Sequence, residues 1–455
     1  MQHIRPTLAL FQRSSIGLLI GIALSSTAQA QSLIEMYDMA KGYDAAYQSA
    51  KSQFQANLAK ADQGKANLLP TAGLSGGATR TSLEITTNPA TTTTDRGFTT
   101  QTAGVNLTQP LYRPANLATY RQSQKALDAA QAALIQAEQD LIVRTSQAYF
   151  DVLGAQDSLT FVKAQKTAVA EQLASAKRNF EVGTATITDT REAQARYDLV
   201  IAQEIAADND LRVKKVALEL LVGKTGIAPF NIKNQSVLPP VPEGSMDTWV
   251  SNSEQLHPGS QQARPNLDVA KLETEKAEAG HKPTVDLTLG YNIQRNLSGT
   301  STVNLGNASN QVTALSTGIS ANLPLFAGFA TQNRIRETVA LEEKARMDLE
   351  GVQRQVAQAT RTAYLGLQSG LGQVKALEAA ESSSQAALDA NQLGYKVGVR
   401  INIDVLNSQS QLYQTKRDLA KARYDTLING LRLKAAAGTL GEVDLAELNA
   451  LLDIR

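Results

Sequence analysis

The sequence predicts a mixed α and β fold made of two tandem structural repeats, each a strand hairpin carrying a very long antiparallel helical hairpin. Three observations carry this reading. A short turn, Phe180-Glu181-Val182-Gly183-Thr184-Ala185-Thr186-Ile187-Thr188-Asp189, returns as Tyr395-Lys396-Val397-Gly398-Val399-Arg400-Ile401-Asn402-Ile403-Asp404. Setting Val182 on Val397 gives 397 minus 182, an offset of 215, and that offset also superposes Asp189 on Asp404, Ala148-Tyr149 on Ala363-Tyr364 and Gly223 on Gly438. A duplication of this kind fixes architecture before any local reading does. Long proline-free stretches lead into both turns, and in each copy a proline upstream of them switches the pattern from helical spacing to strict alternation.

Composition agrees. With 455 residues, 5% aromatic, one Trp and no Cys, the chain suits long helices packed side by side, whose cores are narrow seams, better than compact aromatic-rich domains. Residues 1–30 read as an export signal: Arg5 and Arg13 form the positive region, Ile16 to Leu24 the apolar region, and Ala28-Gln29-Ala30 a small-residue cleavage site. Cleavage removes two of 44 basic residues and none of 43 acidic ones, so the exported chain carries a net charge of minus one. That balance does not favour nucleic acid. No cysteine follows the signal to carry a lipid, and beyond it no apolar run reaches the roughly 18 residues of a spanning helix. Any membrane-spanning part must therefore be made of strands.

In chain order, Leu33 to Leu69 is helical and ends at Pro70; Asn266 to Lys282 ends at Pro283, an offset of 213. After Pro283, Val285, Leu287, Leu289, Tyr291 and Ile293 alternate with polar residues or glycine over the length of an outer-membrane strand. Thr71 to Ile85 is the weaker, Gly-rich counterpart. Polar low-complexity stretches, Thr86 to Thr100 and Asn296 to Asn310, read as exposed hairpin loops. Return strands follow, through Ala103, Val105 and Leu107 and through Leu315, Ile319 and Ala321, into Gln109-Pro110-Leu111-Tyr112 and Leu323-Pro324-Leu325-Phe326. Four strands cannot close a barrel, so several chains must share one.

The helical hairpins come next. Pro114 to Phe180 and Gly328 to Tyr395 each give a rod on the order of 100 Å at 1.5 Å per residue. Each returns through a shorter helix, Asp189 to Val222 or Asp404 to Ala437. The domain reading is 31–223 for the first repeat, 224–262 for a proline-rich connector in an equatorial belt, 263–438 for the second repeat and 439–455 for a C-terminal segment packed beside the connector.

At this point the chain resembles the TolC-type outer-membrane efflux proteins over nearly its whole exported length. The resemblance rests on the Val-Gly turns, the Leu-Pro-Leu-Phe block and the run Ala422-Arg423-Tyr424-Asp425-Thr426-Leu427-Ile428-Asn429 leading to Ala437-Gly438-Thr439-Leu440. It implies a homotrimer whose twelve strands, four per chain, form one barrel in outer-membrane lipid. A long α-helical barrel continues it through the periplasm of a Gram-negative bacterium. A periplasmic adaptor (membrane fusion) protein and an inner-membrane pump of the RND, ABC or MFS type are the implied partners.

The resemblance also assigns site residues. Tyr395 and Arg400, facing Thr188 and Asp189, are expected to hold the periplasmic entrance shut, with Arg423 and Gln172 as a further link. The plainer reading is that Asp189 is a helix cap, with Glu192 three residues on as its capping-box partner. Three copies of Asp404 around the axis would form an acidic ring selecting cations. The family often has a second aspartate three residues on, where this chain has Asn407. Asp404 could equally just start its helix, with Asn402 as an alternative cap. Val182-Gly183-Thr184 and Val397-Gly398-Val399 are the expected adaptor-docking tips; they also serve as ordinary turns that need glycine.

Enzymatic readings fail. Gly223-Lys224-Thr225 resembles the end of a phosphate-binding loop, but Leu218 stands where the first glycine belongs. Only His257 and His281 remain after processing, with no cysteine, so no metal or cofactor is expected. The serines have neither a partner histidine at plausible spacing nor a Gly-x-Ser-x-Gly elbow. The expectation is a gated exit duct, for small-molecule efflux or for type I protein secretion. The rival of another class is a non-conducting coiled-coil spacer.

Overall fold

The computed structural model describes residues 31–87, 92–233, 239, 244–297 and 309–453. The export signal, residues 1–30, lies outside them, as do much of the connector's proline cluster and the hairpin tips at 88–91 and 298–308.

Helices α1 (Leu33–Tyr43) and α2 (Ala45–Ala66) replace the single helix expected before Pro70. The break falls at Asp44, whose carboxylate accepts from the Tyr47 N–H at 2.8 Å and takes both guanidinium nitrogens of Arg144 at 2.9 and 3.0 Å. A side chain that caps a new helix competes with continuing the old one. Strands β1 (Thr71–Thr87) and β2 (Thr92–Tyr112) then pair in one register from Thr71↔Thr108 to Thr87↔Thr92. The loop expected over 86–100 is thus overturned at 86–87 and 92–100, residues 88–91 lying outside the described residues: Thr92, Thr93 and Thr94 read as polar low complexity but are β-branched, and continue the ladder.

Helix α3 (Pro114–Glu181) has 68 residues and returns through α4 (Ile187–Val222). After the connector come α5 (Met246–Leu256) and α6 (Pro258–Glu278). α6 starts upstream of the expected Asn266, because Pro258 at its first position needs no N–H partner, and it tolerates Pro265 inside. Strands β3 (Thr284–Asn296) and β4 (Asn310–Asn322) follow, then α7 (Ala330–Lys396), α8 (Asn402–Ala436) and α9 (Glu442–Asn449).

The four strands form one antiparallel sheet in the order β1-β2-β3-β4, so β2 and β3 join the two repeats and β1 and β4 are its edges. The register aligns Leu74, Val105, Tyr291 and Leu315 across the sheet, and Ala72, Leu107 and Leu289 beside them. This apolar face lies bare: Leu74 is 85% exposed, Leu315 72% and Ile319 70%. Water does not tolerate such a face over a whole sheet; lipid does. At about 3.3 Å per residue, the 13 residues of β3 span the hydrocarbon core with room for tilt.

Where sheet meets helices, Arg113 clasps Asp286 of β3 through Nε at 2.7 Å and Nη2 at 2.6 Å, tying the first repeat's strand-to-helix corner to the second repeat. Below it the helices form a row. α3 packs on α2 and α4 on one side and on α6 and α8 on the other, and both α6 and α8 pack on α7, which leaves α2 and α4 at one edge of the row and α7 at the other. The main core lies at mid-height. Leu33, Met36 and Tyr37 of α1, Tyr149, Phe150 and Leu153 of α3, Ile428 and Leu431 of α8, and Leu445 and Leu448 of α9 bury one another there. Connector residues Ile227, Phe230 and Ile232 join that core, and Ile232 bridges to Leu452. Away from it the rods keep only narrow apolar seams.

Candidate functional site

Both helical hairpins end in the same turn. The Asn179 carbonyl accepts from Thr184 at 2.8 Å and Ala185 at 3.1 Å, and the Gly394 carbonyl accepts from Val399 at 2.8 Å and Arg400 at 3.1 Å. Gly183 and Gly398 have φ of 79° and 78°, and a Cβ at either would meet nothing. Backbone conformation, not crowding, therefore demands glycine at these tips. Val182, Val397 and Val399 project into solvent at 72, 65 and 78% exposure, with Thr184 exposed beside them.

The turns diverge one residue later. In the first repeat Thr186 caps α4: its Oγ1 accepts from the Asp189 N–H at 3.2 Å, and Asp189 Oδ2 accepts from the Thr186 N–H at 2.9 Å. Asp189 is thus the third residue of a capping box opened by Thr186, rather than a cap partnered by Glu192. Ile401 holds the equivalent place in the second repeat and makes no side-chain cap. Asp404, the counterpart of Asp189, is left with Arg400 Nη1 at 3.8 Å, a long and well-hydrated contact worth little.

Within one protomer the expected gate residues find other partners. Tyr395 Oη accepts from Asn179 Nδ2 at 3.1 Å, and the stem of Arg400 lies over Gly394, where a Cβ would come within 2.7 Å of its Cγ. Thr188 is exposed at the start of α4. The link expected between Arg423 and Gln172 is not formed. Arg423 pairs with Glu378 of α7 at 2.8 Å, and Gln172 donates to Asn402. The reason is axial: 423 minus 402 is 21 helical residues, about 30 Å of rise, and three-fold assembly preserves height. Asn407 accepts from Arg196 of α4 at 2.8 Å, so the position of a second acidic ring holds a neutral side chain bound to a cation.

Three side-chain pairs therefore tie the hairpins together near the tip, Asn179 with Tyr395, Gln172 with Asn402, and Arg196 with Asn407, and Asn402 Nδ2 adds a bond to the Asp189 carbonyl. Sequence reasoning missed Asn179 and Arg196 and weighed Asn402 only as a cap. One signal was present: Asn402, Val405, Gln409 and Leu412 follow three-four spacing and all are buried, so Asn402 is a polar residue on a seam.

The arrangement is two matched hairpins with bare apolar tips, hung from a sheet whose apolar face needs lipid. The family model for outer membrane efflux proteins matches residues 36–224 and again 249–439, once for each repeat. The chain belongs to the outer membrane efflux protein family. As such it is an outer-membrane exit duct that reaches into the periplasm. It is 30% identical over 447 residues to outer membrane protein TolC of Vibrio cholerae, covering 98% of each chain. It is 29% identical to the proteases secretion protein PrtF of Dickeya chrysanthemi, over 96% of this chain and 95% of that one. The fold matches outer membrane protein VceC of Vibrio cholerae with a TM-score of 0.75 at 19% identity, covering 89% of this efflux protein and 96% of the other. Among the described residues no helix is long and apolar enough to cross a membrane.

Proposed function

We propose that three copies of this chain form one gated duct, closed at its periplasmic end by the α7–α8 hairpins and opened when an adaptor and an inner-membrane pump engage the Val-Gly tips. The observation that carries it is the pair of unsatisfied edges. β1 and β4 bound a four-stranded sheet too small to close, and α4 and α7 bound a row of rods whose outward residues include Ile205 and Leu220 on one side and Leu341 and Leu365 on the other. Joining β4 to the next copy's β1, and α7 to its α4, is a head-to-tail contact that closes a ring. Twelve strands then leave a lumen wide enough for a substrate.

In this reading Tyr395 and Arg400 meet Thr188 and Asp189 across the protomer boundary. Asp404, freed from capping, lines the narrowest point. The duct contributes passage, and the pump contributes the energy. Likeness to the proteases secretion protein PrtF supports polypeptide cargo, and membership of the efflux family leaves small molecules in play; reconstitution with each pump class separates them.

The test is single-channel recording of the purified trimer in a planar bilayer. Small, cation-selective wild-type currents, with selectivity lost in Asp404→Ala, support the reading. A large conductance indifferent to Asp404→Ala marks a passive pore, and no conductance at all returns the spacer reading.

A further inference from the structure

We infer that Asn402 locks the α7–α8 hairpin onto α3 and α4 within each protomer, making it a positioning residue for the closed entrance. This inference rests on the gated-duct reading above. Asn402 is the first residue of α8, and an asparagine at a helix start ordinarily turns back to satisfy its own N–H groups. Here the amide is spent on the other hairpin. Its Oδ1 accepts from Gln172 Nε2 on α3, and its Nδ2 donates to the Asp189 carbonyl in the first turn of α4 at 3.2 Å.

Burial makes these bonds consequential. Asn402 is 1% exposed, beside fully buried Val405 and Leu406. A buried polar residue on a largely apolar seam costs stability and in return specifies register and partner. Any small displacement of α8 from α3 leaves a buried amide with neither partner nor water, the costly condition for a polar group. Closed and fully withdrawn positions are both tolerable; those between them are not. The seam thus favours a switch over a graded slide.

The repeats show which hairpin is held. At 402 minus 215 the first repeat has Ile187, half-exposed, and α4 is fixed at its start by the Thr186–Asp189 capping box. α8 has no cap of its own. The first hairpin is the self-sufficient frame, and the second depends on Asn402 for its place against it.

Single-channel recording of the full-length trimer tests this. Asn402→Leu keeps the branched shape and the number of heavy atoms, though with greater bulk, and removes both bonds; a several-fold rise in unitary conductance with selectivity retained is expected. Gln172→Leu, a half-buried site on the other hairpin, leaves the bond from Asn402 to the Asp189 carbonyl and should give a smaller rise, and the double variant no more than Asn402→Leu alone, because the bond Gln172 loses is one of the two that Asn402 loses. The chain has no cysteine, so Gln172→Cys with Asn402→Cys, bridged by a short bis-methanethiosulfonate, should restore the small conductance until a reductant is added. If Arg400→Ser opens the channel while Asn402→Leu and Gln172→Leu leave it as in wild type, the inference is overturned and the gated duct stands. If none of the three alters conductance, the gate itself is wrong and the inference falls with it.

Discussion

Thr186 and Ile401 occupy the same place in the two repeats, 401 minus 186 being 215, yet only Thr186 caps its helix. The consequence falls on the aspartate three residues on. Asp189 is held by the box, whereas Asp404 has no such partner and keeps only the long contact to Arg400. Ile401→Thr should rebuild the box in α8 and draw Asp404 into it. A stability gain of about 1 kcal/mol is expected, visible as a higher thermal midpoint, together with weaker cation selectivity measured as reversal potential in a salt gradient. A raised midpoint with unchanged selectivity would take Asp404 out of the pore.

Tyr395→Phe combined with Arg400→Ser removes one hydroxyl and one guanidinium from each of three copies. A shielded charge-assisted bond is worth roughly 1.5–3 kcal/mol. Unitary conductance should rise clearly above wild type. An unaltered channel would remove these residues from the latch.

At the foot of the sheet, Arg113→Ala strands the Asp286 carboxylate, whose side chain is 12% exposed. Because the Arg113 side chain is 41% exposed, solvent screens part of the pair. The cost should be about 1–3 kcal/mol, read as a fall in the temperature at which the trimer dissociates. Arg113→Lys should fall between, since an ammonium cannot make both bonds at once.

His257 offers a pH handle outside the membrane. Its Nδ1 accepts from the Gly259 N–H at 3.0 Å and caps α6, and burial holds the imidazole below its ordinary 6.5 against the opposing pull of Asp140. Between the lowered value and 6.5 the folded protein binds fewer protons than the unfolded chain. The contribution is therefore complete above 6.5 and is lost as pH falls through the folded value. The thermal midpoint should drop on acidification from about pH 7 to about pH 5, and His257→Asn, which keeps an acceptor that does not titrate, should flatten that drop.

Much of the fold was legible because its rules are local or periodic. Alternation from Val285 to Ile293 marks a strand with one apolar face, and three-four spacing without proline marks a rod. The Val-Gly repeats mark turns that need positive φ, confirmed at Gly183 and Gly398. Where local rules compete, reading fails. Asp44 ends one helix and caps another because Arg144, 100 residues away, holds its carboxylate. The polar stretch 92–100 becomes strand because a partner lies across from it.

The sequence by itself therefore determined the duplication, the alternation of rods and strands, and an apolar sheet face too small to close alone, since each depends only on spacing along the chain. Tertiary structure decided which side chains meet. It sent Gln172 to Asn402 rather than Arg423 and gave Asn407 to Arg196. Those pairings depend on the axial height at which one rod passes another, and no single rod's sequence encodes that height.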